Sequence, residues 1–140
     1  MDIEAARQQM IEQQVRAWEV LDPRVLDTLG SVPRERFVPE AYRELAFADT
    51  AIPLACGQSM LPPKLEGRIL QALEVQSGES VLEIGTGSGF FAACLSALGG
   101  LVRTIDLYPE LTAFAGANLR DAGYAGVTVV TADATQWADR

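Results

Sequence analysis

The chain has no histidine, and its 140 residues include only two cysteines. Without an imidazole, Ser-His-Asp and Cys-His nucleophile chemistry and most zinc sites are excluded. Any general base must then be Asp, Glu, Lys, Tyr or Cys. Cys56 and Cys94 are far apart and form no C-x-x-C pair, so neither a disulfide framework nor a metal site is expected. Cys94 falls on an apolar helical face and reads as core. Basic residues are also scarce: 11 Lys and Arg stand against 19 Asp and Glu, giving a formal charge of −8. With no basic run, binding to nucleic-acid phosphate is disfavoured. No apolar stretch approaches the ~20 residues of a membrane span, and the start Met1-Asp2-Ile3-Glu4 has neither a basic nor an apolar leader region. A cytoplasmic location with no membrane partner is expected. What remains is the make-up of an ordinary globular domain, 49% hydrophobic and 21% charged.

The informative stretch is Val81-Leu82-Glu83-Ile84-Gly85-Thr86-Gly87-Ser88-Gly89-Phe90. A short apolar run ends in a carboxylate and three glycines, then passes into the apolar-periodic Phe90, Phe91, Cys94, Leu95 and Leu98. This predicts strand, tight loop and helix, the first βα unit of a nucleotide-binding sheet. The dinucleotide fingerprint needs G-x-G-x-x-G, but here the third glycine comes one residue early. The resulting G-x-G-x-G is similar to the loop of S-adenosylmethionine (SAM) methyltransferases, and a nicotinamide-dependent oxidoreductase is a minor alternative. Glu83, within an apolar strand, serves either the loop's backbone or the ligand.

Twenty-one residues beyond Gly85, the run Leu101 to Ile105 ends at Asp106, placed to accept hydrogen bonds from ribose hydroxyls. Pro109 is predicted to open a helix that Gly123 closes, and a third strand, Val127 to Val130, ends at Thr131-Ala132-Asp133. Residues 1–78 read mostly as helix. Ile3, Met10, Ile11, Val15 and Trp18 form one apolar stripe. Asp22-Pro23 starts a second helix that Gly30 is expected to close. Trp18, Phe37 and Phe47 are expected to pack. Three prolines and a glycine rule out a regular element in the connector 49–63, and Pro62-Pro63 start a helix with Leu65, Ile69, Leu70 and Leu73.

The order Met10-Ile11-Glu12-Gln13-Gln14-Val15-Arg16, Val32-Pro33-Arg34-Glu35-Arg36-Phe37-Val38-Pro39-Glu40-Ala41-Tyr42, Ala48-Asp49-Thr50-Ala51-Ile52-Pro53-Leu54 and Gly57-Gln58-Ser59, followed by Glu83 to Gly89, resembles the protein-L-isoaspartate O-methyltransferase family along essentially the whole chain. The resemblance implies an α/β, Rossmann-like SAM-dependent methyltransferase fold with a truncated parallel sheet and an N-terminal helical extension. Residues 1–78 would pack on the first half of the SAM-binding unit, 79–140, as one structural domain. It implies SAM as cofactor, no metal, and a protein or peptide partner whose isoaspartyl carboxylate is methylated for repair. It places Gly85, Thr86, Gly87 and Ser88 at the methionine end of the cofactor and counts Glu83 and Leu107 among the cofactor-binding residues. Asp106 falls at the ribose, Asp133 and Ala134 at the adenine, and Ser59 at the methyl acceptor.

The family's connector carries a second hydroxyl residue where this chain has Leu61. The alternative reading is therefore a SAM-binding pseudoenzyme or a methyltransferase with a different acceptor. Lys64 is a candidate replacement cation. Family members continue beyond the third strand, so the exposed sheet edge is expected either to mark a fragment or to be covered by a second copy. Methylation of a carboxylate suits a chain without histidine, because the nucleophile is already ionised at pH 7 and needs positioning rather than a base.

Overall fold

The computed structural model describes residues 1–136; Trp137, Ala138, Asp139 and Arg140, with which the segment 79–140 ends, lie outside them. Helix α1 (Ile3–Met10) starts where the Asp2 carboxylate accepts the Ala5 N–H. It continues through a π-helical turn, Ile11–Val15, and a 3-10 turn, Arg16–Trp18, and stops at Glu19, whose φ is +65°. Of its predicted stripe, Met10, Ile11 and Val15 are buried, whereas Ile3 and Trp18 are exposed. The π turn shifts the helical phase, so Trp18 leaves the core and carries the Lys64 ammonium 4.4 Å above its ring.

Helix α2 (Pro23–Ser31) has the expected Asp22 cap and proline start. Gly30 does not close it. The helix runs on to Ser31 and yields to extended Val32, because Pro33 disfavours helical geometry in the residue before it. Two 3-10 turns, Arg34–Phe37 and Glu40–Leu45, lead to the connector. Here too the structure corrects the expectation. The connector contains an antiparallel pair, β1 (Ile52–Pro53) and β2 (Ser59–Met60), in register Ile52 with Met60 and Pro53 with Ser59. Proline is tolerated because such a short ladder leaves its missing N–H unneeded. Helix α3 (Pro63–Leu73) follows; it buries Pro63, Glu66, Gly67 and Leu70, while Ile69 and Leu73 of the predicted stripe are exposed.

The second half is a parallel three-stranded sheet in the order β3 (Ser80–Ile84), β4 (Leu101–Asp106), β5 (Thr128–Thr131). The crossovers are α4 (Phe90–Ala97) and α5 (Pro109–Asp121), the latter opened by its proline and followed by Gly123 at φ +92°. This is the α/β, Rossmann-like half-sheet anticipated from the sequence. Helix α4 packs on β4, and α5 on β4 and β5. One apolar core joins the two halves, with Met10, Val15 and Phe37 in the same cluster as Phe90, Leu95 and Val102. Phe37 meets Phe90 edge-on, ring centroids 5.7 Å apart.

Alternation along β3 turns Val81 and Glu83 toward the helices and Leu82 and Ile84 toward the other face. There Leu82, Ile84 and Leu101 are exposed, at 46%, 68% and 62%. The apolar run of β3 is thus not buried throughout, and its most enclosed chemistry is a carboxyl.

Candidate functional site

The three strands end side by side. The Gly85 N–H donates to Ile105 O at 2.7 Å, and the Ala132 N–H to Asp106 O at 3.0 Å. The tips of β3, β4 and β5 therefore meet on the edge where open α/β sheets take ligands.

Between β3 and α4 the chain turns through Gly85, Gly87 and Gly89, all at positive φ. A Cβ at Gly85 would meet nothing within 4 Å, so that side of the loop is open to a ligand. A Cβ at Gly89 would lie 3.2 Å from Ala115 Cβ and Leu119 Cγ. The third glycine therefore lets α4 and α5 close against each other.

The hydroxyls of the loop point inward. Thr104 Oγ donates to Glu83 Oε1 at 2.7 Å and lies 2.8 Å from Thr86 Oγ. Ser88 Oγ accepts the Phe90 N–H, and Ser88 O accepts from Asn118 Nδ2 at 3.0 Å. Thr86 and Ser88 are both 3% exposed, so their side chains build the loop, and both residues border the cavity. Asp106 spans the next gap: one oxygen accepts the Gly87 N–H and the other the Tyr108 N–H, each at 3.2 Å. Both contacts are long, and the carboxylate keeps acceptor capacity for hydroxyl donors.

Glu83 is the electrostatic centre of the site. Burial pushes its carboxyl up to about 8; the Thr104 hydrogen bond opposes this, and the nearby Glu66 and Asp106 carboxylates add to the rise. The structure thus gives Glu83 a partner in Thr104 and the loop beyond it.

A cavity of about 240 Å³ opens beside the loop, lined by Gly85, Thr86, Gly87 and Ser88 on one wall and by Ser59, Met60 and Leu61 on the other. Glu66 and Glu83 contribute carboxyls to it. The fold therefore brings Ser59 of the connector to the glycine loop, although 24 residues separate Ser59 from Glu83. Leu61 lines the same wall and offers no donor.

Other predicted residues lie further out. Leu107 is 57% exposed, just past Asp106. Asp133 is exposed and accepts from the Thr135 N–H and hydroxyl, which hold its carboxyl below the usual range; Ala134 beside it is partly buried. Lys64 is committed to Asp49 at 3.2 Å and to the Trp18 ring, and it does not line the cavity. Among the described residues no group of His, Cys, Asp or Glu side chains converges as a metal site.

Three residues of the site were not singled out from sequence: Thr104, Asn118 and Glu66. Thr104 carried a faint signal, a hydroxyl alternating with Val102 in a buried strand. Glu66 carried another, a carboxylate on the inner face of α3.

Comparison with known proteins places this architecture. The family model for protein-L-isoaspartate(D-aspartate) O-methyltransferase (PCMT) matches residues 5–140. Protein-L-isoaspartate O-methyltransferase 2 of Anaeromyxobacter sp. (strain Fw109-5) is 43% identical over 138 residues, which is 98% of this chain and 57% of that protein. The Rhodopseudomonas palustris (strain ATCC BAA-98 / CGA009) protein-L-isoaspartate O-methyltransferase is 42% identical over 91% of this chain and 58% of its own length. The chain thus spans less than three fifths of these relatives. In structure it is similar to a Plasmodium falciparum protein described as a protein-L-isoaspartate O-methyltransferase and solved with S-adenosyl-L-homocysteine. The TM-score is 0.81 at 15% identity, covering 99% of this chain and 66% of that one, a likeness of fold. The glycine loop, the strand-tip aspartate and the connector wall, together with a match over nearly every residue, lead to one assignment: the chain belongs to the protein-L-isoaspartate O-methyltransferase family.

Proposed function

We propose that this protein binds SAM at the tips of β3, β4 and β5 and methylates the isoaspartyl carboxylate of a protein or peptide. The observation that carries the reading is the one cavity lined on one side by the positive-φ glycine loop and on the other by the Ser59 connector. The residues present fit the cofactor: the loop is open at Gly85, and Asp106 retains acceptor capacity. In this reading Glu83 and the backbone of Gly85, Thr86, Gly87 and Ser88 hold the methionine end. Asp106 and Leu107 border the ribose, and Asp133 and Ala134 the adenine. Bound there, SAM supplies a methyl group on a sulfonium.

This chain's own residues position the acceptor. Ser59 donates its hydroxyl to the acceptor carboxylate and sets its direction. No base is required, since the acceptor is ionised at neutral pH, and the transfer rests on alignment and exclusion of water. Glu83 holds a proton at neutral pH and gives it up when positive charge is brought beside it.

The test is transfer of labelled methyl from SAM to an isoaspartyl peptide and to its aspartyl counterpart. Label in the first peptide alone is expected, and no label in either would overturn the reading. A second reading, cofactor binding with a different acceptor, is favoured by one observation: Leu61 in the cavity wall places an isobutyl group where the acceptor anion would sit. It predicts an inert parent chain and an isoaspartyl-active Leu61→Ser variant.

A further inference from the structure

The connector that carries Ser59 lies at the surface, with Ala55, Cys56, Gly57, Gln58 and Ser59 all exposed. Something must nevertheless aim it at the glycine loop. Within the hairpin, the Leu54 N–H donates to Gln58 O at 2.8 Å, which closes the turn but does not orient it.

Orientation comes from Arg34, 1% exposed and 27 residues before Leu61. Its guanidinium uses all three nitrogens, each on a different segment. Nε donates to Ala46 O at 2.7 Å, at the entrance to the connector. Nη2 donates to Leu61 O at 3.0 Å, at its exit. Nη1 donates to the buried Glu66 of α3. The guanidinium Cζ lies 4.8 Å from the ring centroid of Phe90, the first residue of the helix that follows the glycine loop.

We infer that Arg34, charge-balanced by Glu66, is a positioning residue that clamps both ends of the connector and registers Ser59 against the glycine loop. A core-filling role does not account for the residue. Well-packed apolar side chains of similar volume would fill the space without the cost of burying two charges. The planar fork has a use that an apolar group and a lysine both lack, because it donates in fixed directions to two carbonyls at once.

The inference rests on the methyl-transfer reading for its kinetic consequence, but its structural consequence can be read without activity. Two variants test it. Arg34→Lys keeps a positive charge for Glu66 but cannot serve both carbonyls. The double variant Arg34→Met with Glu66→Leu removes both charges and keeps the core filled. The measurements are peptide KM and kcat, affinity for S-adenosyl-L-homocysteine, and amide hydrogen exchange in the hairpin 52–60. In both variants peptide KM is expected to rise about tenfold or more, because small misplacement of reacting groups is costly. In Arg34→Lys, which leaves the cavity-lining Glu66 in place, affinity for S-adenosyl-L-homocysteine stays within about twofold of the parent chain, and hairpin exchange accelerates in both variants. A residue that merely stabilises the fold would lower the melting temperature and leave peptide KM and hairpin exchange unchanged, and that result in folded variants overturns the inference. Should Arg34→Lys fail to fold, the double variant decides. Should the parent chain not methylate the peptide, the function reading fails by itself. Hairpin exchange then decides alone, with unchanged rates in the variants overturning the clamp.

Discussion

The glycine loop and the connector face each other across one cavity, yet they are held in different ways. Among the described residues, the loop's hydrogen-bond partners beyond itself come from the helix after it and the next βα unit, Thr104, Ile105, Asp106 and Asn118 among them. The connector depends on side chains from elsewhere in the chain. Arg34 reaches Leu61 O from 27 positions away, and the Cys56 thiol donates to Glu110 in the first turn of α5 at 2.8 Å. A loop held by its neighbours is specified by spacing, whereas a loop held by distant donors is specified only once the whole domain has folded. The glycine loop should therefore break abruptly when its backbone is altered, and the connector should fail by degrees.

The largest effect is expected at Gly89. Its φ of +91° disfavours any side chain, and the 3.2 Å approach of Ala115 and Leu119 means that a Cβ fits only if α4 and α5 give way slightly. Gly89→Ala should cost about 2–4 kcal/mol by denaturant titration, from backbone strain and overpacking together. A loss well under 1 kcal/mol would show that α4 and α5 can move apart.

Next comes Asp106. Replacement by alanine strips an acceptor from the loop and from the ribose hydroxyls it is proposed to meet. Affinity for S-adenosyl-L-homocysteine should fall by about 1–3 kcal/mol in calorimetric titration. An unchanged dissociation constant would remove Asp106 from the cofactor site.

Glu83 gives a pH signature of the cofactor wall. Its carboxyl titrates near 8 in the folded chain and from its ordinary value of 4.5 when unfolded. Between those values the native state holds a proton that the unfolded state has lost, so this group makes stability decline as pH rises from about 4.5 to 8. Glu83→Gln, neutral throughout, should lack that slope and exceed the parent chain at pH 8.5 by an amount on the order of a few kcal/mol. Parallel stability curves for the two proteins from pH 5 to 8.5 would show that Glu83 ionises normally.

The smallest effect belongs to the connector. Cys56 sits at φ +60° and is exposed, and Glu110 pushes its thiol above the ordinary value. Cys56→Ala should leave the melting temperature unchanged and raise peptide KM by about two- to threefold, as expected for loss of one solvent-exposed hydrogen bond. A change in cofactor affinity instead would mean that the thiol anchors α5 rather than the connector.

The same contrast explains what could be read from the residues. Glu83, the three glycines, Asp106 and Pro109 follow one another at intervals set by a strand, a turn and a helix, and those intervals are local. Trp18 was misplaced because a π turn, invisible in an apolar stripe, rotates the helix ahead of it. The hairpin of β1 and β2 is not legible in the sequence because Ile52 finds Met60 through a turn with two left-handed residues, Cys56 and Gly57, and only the second is a glycine. Leu82 and Ile84 belong to an apolar run yet are exposed, because an apolar residue carries no record of which face of the sheet is covered.

The sequence by itself determined the parallel α/β unit, the open glycine loop, the carboxylate beyond it, and the family, since each depends on residue type at short spacing. Only the tertiary structure decided that Thr86 and Ser88 turn inward and that Ser59 and Leu61 form the opposite wall. It alone brought Arg34 and Glu66 together behind the connector. Those are contacts between segments far apart in the chain, and their geometry exists only when the common core has packed.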